Sequence, residues 1–95
     1  MPKAVKLENG DIYFSCPGCG AGHALNTDPS KGRPCWTFNG DFERPTFTPS
    51  ILARWTFGEN HEPRVCHSFV TDGNIQFLGD CTHALAGQTV PLEDD

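Results

Sequence analysis

Two cysteines three residues apart, in Cys16-Pro17-Gly18-Cys19-Gly20, constrain this chain more than any other feature. Proline and glycine pre-bend the backbone between the thiols, so that both sulfurs can point at one centre. A tetrahedral zinc ion takes half of its ligands from a turn of this kind. With 95 residues the chain can build one small core, and chains of this size gain from a metal staple. Residues 1–95 are therefore read as a single zinc-stapled domain. A two-cysteine knuckle also implies further ligands elsewhere in the chain.

Composition narrows the rest. Eight prolines, ten glycines and few helix-favouring runs point to a loop-rich, mostly β protein. The formal net charge is −5, acid gathers at Glu93-Asp94-Asp95, and there is no basic arm. Nucleic acid is not an expected partner. Residues 1–6 carry no apolar signal region, and no stretch approaches about 18 apolar residues, so neither a secretory signal nor a membrane span is expected. The expected location is the cytoplasm, where thiols stay reduced. Five cysteines is an odd number, which argues against a complete disulfide framework. A redox dithiol is the weaker reading of Cys16 and Cys19, because no βαβ context surrounds them and no helix opens at Cys19.

The local pattern predicts strands over 11–15, 23–26, 35–38, 51–57, 65–70, 75–78 and 88–92. Asn39-Gly40 is the strongest short hairpin signal by composition, and Thr71-Asp72-Gly73-Asn74 marks the clearest hairpin. Residues 80–86 are expected to form a short helical turn ended by Gly87. Trp36, Phe38, Phe47, Trp55, Phe69 and Phe77 read as core aromatics. The fold class is mostly β: short antiparallel strands in two small sheets or a partly open barrel, with a zinc knuckle and at most a short helix.

Two places could complete the metal site. One is the pair Cys66-His67, inside a predicted strand. The other is Asp80-Cys81-Thr82-His83. His23 lies four residues beyond Cys19. Strand neighbours point to opposite faces, so Cys66 and His67 share a metal only if a bulge re-aims one of them. The preferred shell is Cys16, Cys19, Cys66 and His23, with His67 or His83 as the alternative fourth ligand. Such a zinc is structural. A catalytic alternative uses Cys16, Cys19 and His67 with water in an open position. Cys66 could instead be a buried small hydrophobe, as Cys35 is expected to be. His61 reads as a solvated loop residue.

Ser50 is the notable hydroxyl. It follows Thr46-Phe47-Thr48-Pro49, a segment stiffened by its proline. A nucleophilic serine needs a base within hydrogen-bond reach and a group that orients the base. His67 and His83 are candidate bases and Asp80 a candidate orienter. Residue types alone leave plainer readings open: Ser50 as a turn hydroxyl, His67 as a core histidine, Asp80 as a cap. No Gly-x-Ser-x-Gly elbow is present.

Four ordered segments resemble a known family. They are Cys16-Pro17-Gly18-Cys19-Gly20, Arg44-Pro45-Thr46-Phe47-Thr48-Pro49-Ser50, Cys66-His67-Ser68-Phe69-Val70-Thr71-Asp72-Gly73 and Asp80-Cys81-Thr82-His83-Ala84-Leu85-Ala86-Gly87. Together they resemble small phage and prophage proteins often labelled "ammonia monooxygenase". That label does not suit a short chain without a membrane span. Relatives also occur in bacterial ubiquitin-like conjugation operons, where they are taken to be serine peptidases. The resemblance implies Ser50 as nucleophile, His67 as base, Asp80 in support and a structural zinc. It implies a peptidase acting on a ubiquitin-like or other peptide substrate in the cytoplasm, the host's if the protein is phage-encoded. The contrasting expectation is a non-catalytic zinc-binding module of phage origin that binds a protein partner, for example to modulate host defence.

Overall fold

The computed structural model describes residues 2–32 and 34–94. Among these residues, eight strands form two antiparallel sheets: β1 (Val5–Lys6), β2 (Ile12–Cys16) and β3 (Ala21–Leu25) in one, and β4 (Thr37–Phe38), β5 (Phe47–Phe57), β6 (Glu62–Thr71), β7 (Asn74–Phe77) and β8 (Thr89–Pro91) in the other. Each strand pairs with its sequence neighbour inside its sheet. A 3-10 turn at Pro29–Lys31 is the only helical element among the described residues. This is the mostly β class expected from composition, and of the two expected architectures it is the pair of sheets and not the partly open barrel. None of the described helices is long and apolar enough to cross a membrane.

Alternation builds the core. In β2, Ile12, Phe14 and Cys16 face inward while Tyr13 and Ser15 are half-buried. In β6 and β7, Cys66, Ser68, Val70, Ile75 and Phe77 turn the same way from the other sheet. Phe14 stacks on Phe47 at 5.8 Å, and Phe47 stacks on Phe38 at 5.1 Å, so aromatic contact joins the sheets.

The β6–β7 hairpin is as expected, with Thr71 opposite Asn74. Its two turn residues, Asp72 and Gly73, have φ of 52° and 80°. Both central residues of a type I′ turn need this left-handed backbone. Asn39-Gly40 behaves differently. It does not close a two-residue hairpin, because β4 and β5 are joined by the whole of 39–46. The Asn39 side chain organises that loop, accepting from the Asp41 and Thr46 N–H groups and donating to the Arg44 carbonyl. An Asn that serves as a hub for backbone groups opens a wide loop instead of a tight turn.

Two further expectations are corrected. Residues 80–86 form turns and bends with no helix, because Leu78 and Thr82 donate their N–H groups sideways to β6 and the Cys81 side chain bonds there too. Trp55 and Phe69 are not core aromatics: they are 40% and 42% exposed. Phe69 lies on the outer face of β6. Trp55 lies in the distal half of β5, where no residue after Ile51 is fully buried.

Candidate active site and metal centre

One strand serves two sites. Cys66 and His67 are neighbours in β6 and alternation holds between them, so Cys66 points to the core and His67 to the outer face. No bulge re-aims either residue. The register irregularity lies in the partner strand, between Phe47 and Ile51 of β5, and Ser50 sits within it. Thr48–Pro49 is a cis peptide in the same segment. Bulges re-aim side chains. Here the Ser50 hydroxyl lies 3.1 Å from His67 Nε2.

The other ring nitrogen is also engaged, with His67 Nδ1 3.1 Å from Asp80 Oδ2. A carboxylate at Nδ1 selects the tautomer with its proton there, which leaves Nε2 free to accept from the Ser50 hydroxyl. Asp80 arrives just after β7, and residues 78–82 are zipped along β6. The Leu78 N–H donates to the His67 carbonyl at 2.9 Å, and the Thr82 N–H donates to the Val65 carbonyl at 3.0 Å. Two side chains act as backbone substitutes. Thr82 Oγ1 accepts from the Val65 N–H at 3.0 Å. Cys81 Sγ accepts from the His67 N–H and donates to the His67 carbonyl, both at 3.2 Å. Cys81 is thus a clasp on the residue that carries the imidazole, a role not read from the sequence. The signal was there in the Asp80-Cys81-Thr82 run directly after a hairpin, where an unpaired stretch of β6 needs partners.

The cysteine cluster lies on the other side of the same strand. The ligand atoms of Cys16, Cys19, His23 and Cys66 all lie within 4.8 Å of one another, so these four could hold a metal ion. Two edges test the fit. Cys16 Sγ and Cys66 Sγ are 3.8 Å apart, and Cys19 Sγ and His23 Nε2 are 3.6 Å apart. A tetrahedral centre with metal–sulfur bonds of about 2.3 Å and metal–nitrogen bonds of about 2.0–2.1 Å has edges of about 3.8 Å and about 3.6 Å. The donor set fits, and it closes all four positions with protein atoms.

Cys66, Cys81 and His83 also lie within 4.8 Å of one another. That grouping shares Cys66 with the first. Cys81 also clasps His67, and His83 Nδ1 accepts from the Leu85 N–H at 3.2 Å while its Nε2 is buried without a hydrogen-bond partner. The His83 ring is half-buried. It stands edge-on to Phe77 at 4.4 Å and presses on Gly18, where an added Cβ would come within 2.4 Å of the ring. His67 is not in either cluster, which removes the geometry for a metal held by Cys16, Cys19 and His67. Cys35 is half-buried and His61 exposed.

The thiols share charge unequally. The Cys16 pKa is lowered to about 3, first by the hydrogen bond from the Cys66 thiol and then by His23, against the opposing effect of burial. Cys19 is pushed up to about 11 by burial, and Cys66 is pushed up by its hydrogen bond to Cys16 and by burial. The hydrogen bond between Cys16 and Cys66 thus favours the charged form of Cys16 at the expense of Cys66. A metal needs all three deprotonated.

A family model described as "Bacterial ubiquitination-like system serine protease (BubE)" matches residues 3–78. That span includes Ser50, His67 and all four cluster residues, and it ends before Asp80. No curated protein and no solved structure matches the chain significantly.

Proposed function

The chain belongs to the BubE family of bacterial ubiquitination-like system serine proteases, and from that premise we propose that it is a serine peptidase acting on ubiquitin-like or other peptide substrates. The observation that carries this reading is the hydrogen-bonded series Ser50–His67–Asp80, with both links at 3.1 Å. A non-catalytic binding module gives no reason for a serine, an imidazole and a carboxylate to line up in this way.

In this mechanism His67 Nε2 takes the Ser50 proton as Oγ attacks the scissile carbonyl. The oxyanion that forms needs backbone N–H donors within reach of Ser50 Oγ. The tetrahedral intermediate collapses as His67 gives its proton to the leaving amine. Water then adds to the acyl-enzyme, with His67 again accepting a proton, and the carboxylic acid leaves while Ser50 is re-protonated. Asp80 holds the ring and balances the imidazolium.

We assign zinc to the four-ligand cluster. Its thiolate and imidazole donors suit that ion, and a closed shell makes the role structural. The ion would tie β6 to the knuckle through Cys66, one residue from the base. Reduced thiols in all five cysteines suit a cytoplasmic setting.

The direct assay incubates the zinc-loaded protein with a ubiquitin-like protein extended at its C-terminus. The expected outcome is loss of a discrete C-terminal fragment by mass. A substrate that stays intact at stoichiometric enzyme would contradict the reading. Asp80 supplies a graded prediction. Where the orienting carboxylate is buried, its amide replacement lowers kcat about 10⁴-fold. The Asp80 side chain is 54% exposed, so solvent screens it. Asp80→Asn is expected to lower kcat by only about 10–100-fold, measured on the same substrate.

A further inference from the structure

The free edge of β5 begins at the nucleophile. β4 covers this edge only at Phe47 and Thr48. Trp36 takes the next position, its indole Nε1–H donating to the Ser50 carbonyl at 3.3 Å. From Ile51 to Phe57 the opposite edge pairs fully with β6. No backbone hydrogen bond among the described residues reaches the outer edge over that stretch. Native sheets blunt such edges with lysine, proline, bulges or a covering segment. Here the bulge and the proline both precede Ile51. The exposed stretch carries one charge, Arg54, among Leu52, Trp55 and Phe57, which are 44%, 40% and 62% exposed.

A groove opens at the point where β4 stops. It encloses about 590 Å³ and is lined by Pro34, Cys35, Trp36, Pro49, Ser50 and Leu52. The volume lies in the range of small-ligand sites, and the wall is apolar except at the nucleophile.

We propose that the peptide flanking the scissile bond binds as an added strand along the Ile51–Phe57 edge, with an apolar side chain seated in the Trp36–Pro49–Leu52 groove. This rests on the peptidase reading and names its substrate class: an extended peptide with an apolar residue beside the cleaved bond. The free backbone groups supply register and affinity, and the groove supplies preference. Both features lead to Ser50 Oγ, which is why an extended substrate and not a second copy of the sheet is the occupant. A strand added here places successive substrate amides alternately toward the β5 edge and away from it.

Peptidyl diphenyl phosphonates test this, because Ser50 Oγ displaces phenoxide from phosphorus and the adduct is read by intact mass. A leucyl phosphonate on a tripeptide is expected to modify the zinc-loaded protein at least 10-fold faster than its aspartyl counterpart. N-methylation of single backbone amides is expected to slow modification at alternate positions only. Leu52→Asp is expected to erase the leucyl preference. Phenylmethylsulfonyl fluoride, too small to use the edge, serves as the control. If it labels Ser50 while leucyl, aspartyl and N-methylated reagents all react equally, the strand-addition proposal is overturned and the peptidase reading stands. If it fails to label Ser50 in the folded protein, the peptidase reading itself falls, and this proposal with it.

Discussion

Ser50→Ala is expected to leave a folded, metal-loaded protein whose kcat on a ubiquitin-like precursor is lower by about 10⁴–10⁶-fold. The size follows from the role. Without Oγ there is no acyl-enzyme, and only binding and oxyanion stabilisation remain. The fold should not suffer. Ser50 is half-buried, and its hydroxyl is hydrogen-bonded to the His67 ring at 3.1 Å, which water can replace. The change in stability is expected to stay within about 1 kcal/mol. His67→Ala is expected to cost nearly as much activity as Ser50→Ala. The double variant is expected to be little worse than either, since the two groups act as a unit. Steady-state kinetics on the three variants, with thermal melts alongside, checks each part. Multiplicative losses would contradict a shared step.

Metal removal has the other large expected effect, and it acts on the fold. A domain of this size is stable by about 5–15 kcal/mol. Structural zinc in small domains contributes about 10–16 kcal/mol of apparent binding free energy at neutral pH. The two magnitudes are comparable, so a strong chelator is expected to unfold the chain and not merely loosen it. Cys66→Ala isolates the effect. Cys66 is fully buried in the core, so alanine leaves a small apolar filler and removes one ligand. That variant is expected to melt at least about 10–20 °C below the parent, since about 1 kcal/mol shifts the midpoint by about 4–8 °C in a domain of this length. Circular dichroism with and without chelator measures it, and re-addition of zinc should restore both fold and activity in the parent. A melting temperature unmoved by chelation would show that the two sheets hold without the ion.

The knuckle was legible because its chemistry is local. Cys16 and Cys19 lie in one turn, Gly20 takes the left-handed backbone that ends it at φ 69°, and His23 follows on the next strand. The opposed facing of Cys66 and His67 was equally legible, because alternation needs only two adjacent residues. What sequence could not place was the bulge. A bulge depends on how β5 meets β6, and its signature at Thr48-Pro49-Ser50 reads as a stiff segment until its partner strand is known. The same holds for residues 80–86. Their composition suits a helical turn, but the vacant stretch of β6 beside Val65 and His67 draws Leu78, Cys81 and Thr82 into lateral pairing. Trp55 was misread for a related reason. β5 runs for 11 residues against 5 in β2 and 5 in β3, and strand overhang is a tertiary property that no period-two pattern reports. Residue types offered both His67 and His83 as the base for Ser50, and the choice of His67 rested on resemblance, because residues 17 positions apart in the sequence carry no spacing rule.

The most direct measurement is the site of covalent reaction in the native protein. The zinc-loaded chain is treated with a simple fluorophosphonate, digested, and mapped by mass spectrometry. The expected result is one adduct, on Ser50, formed rapidly in the parent and at least about 10³-fold more slowly in His67→Ala, where the hydroxyl has lost its base. An adduct on another residue, or labelling of Ser50 at the same rate with and without His67, would contradict a serine activated across the face of β6.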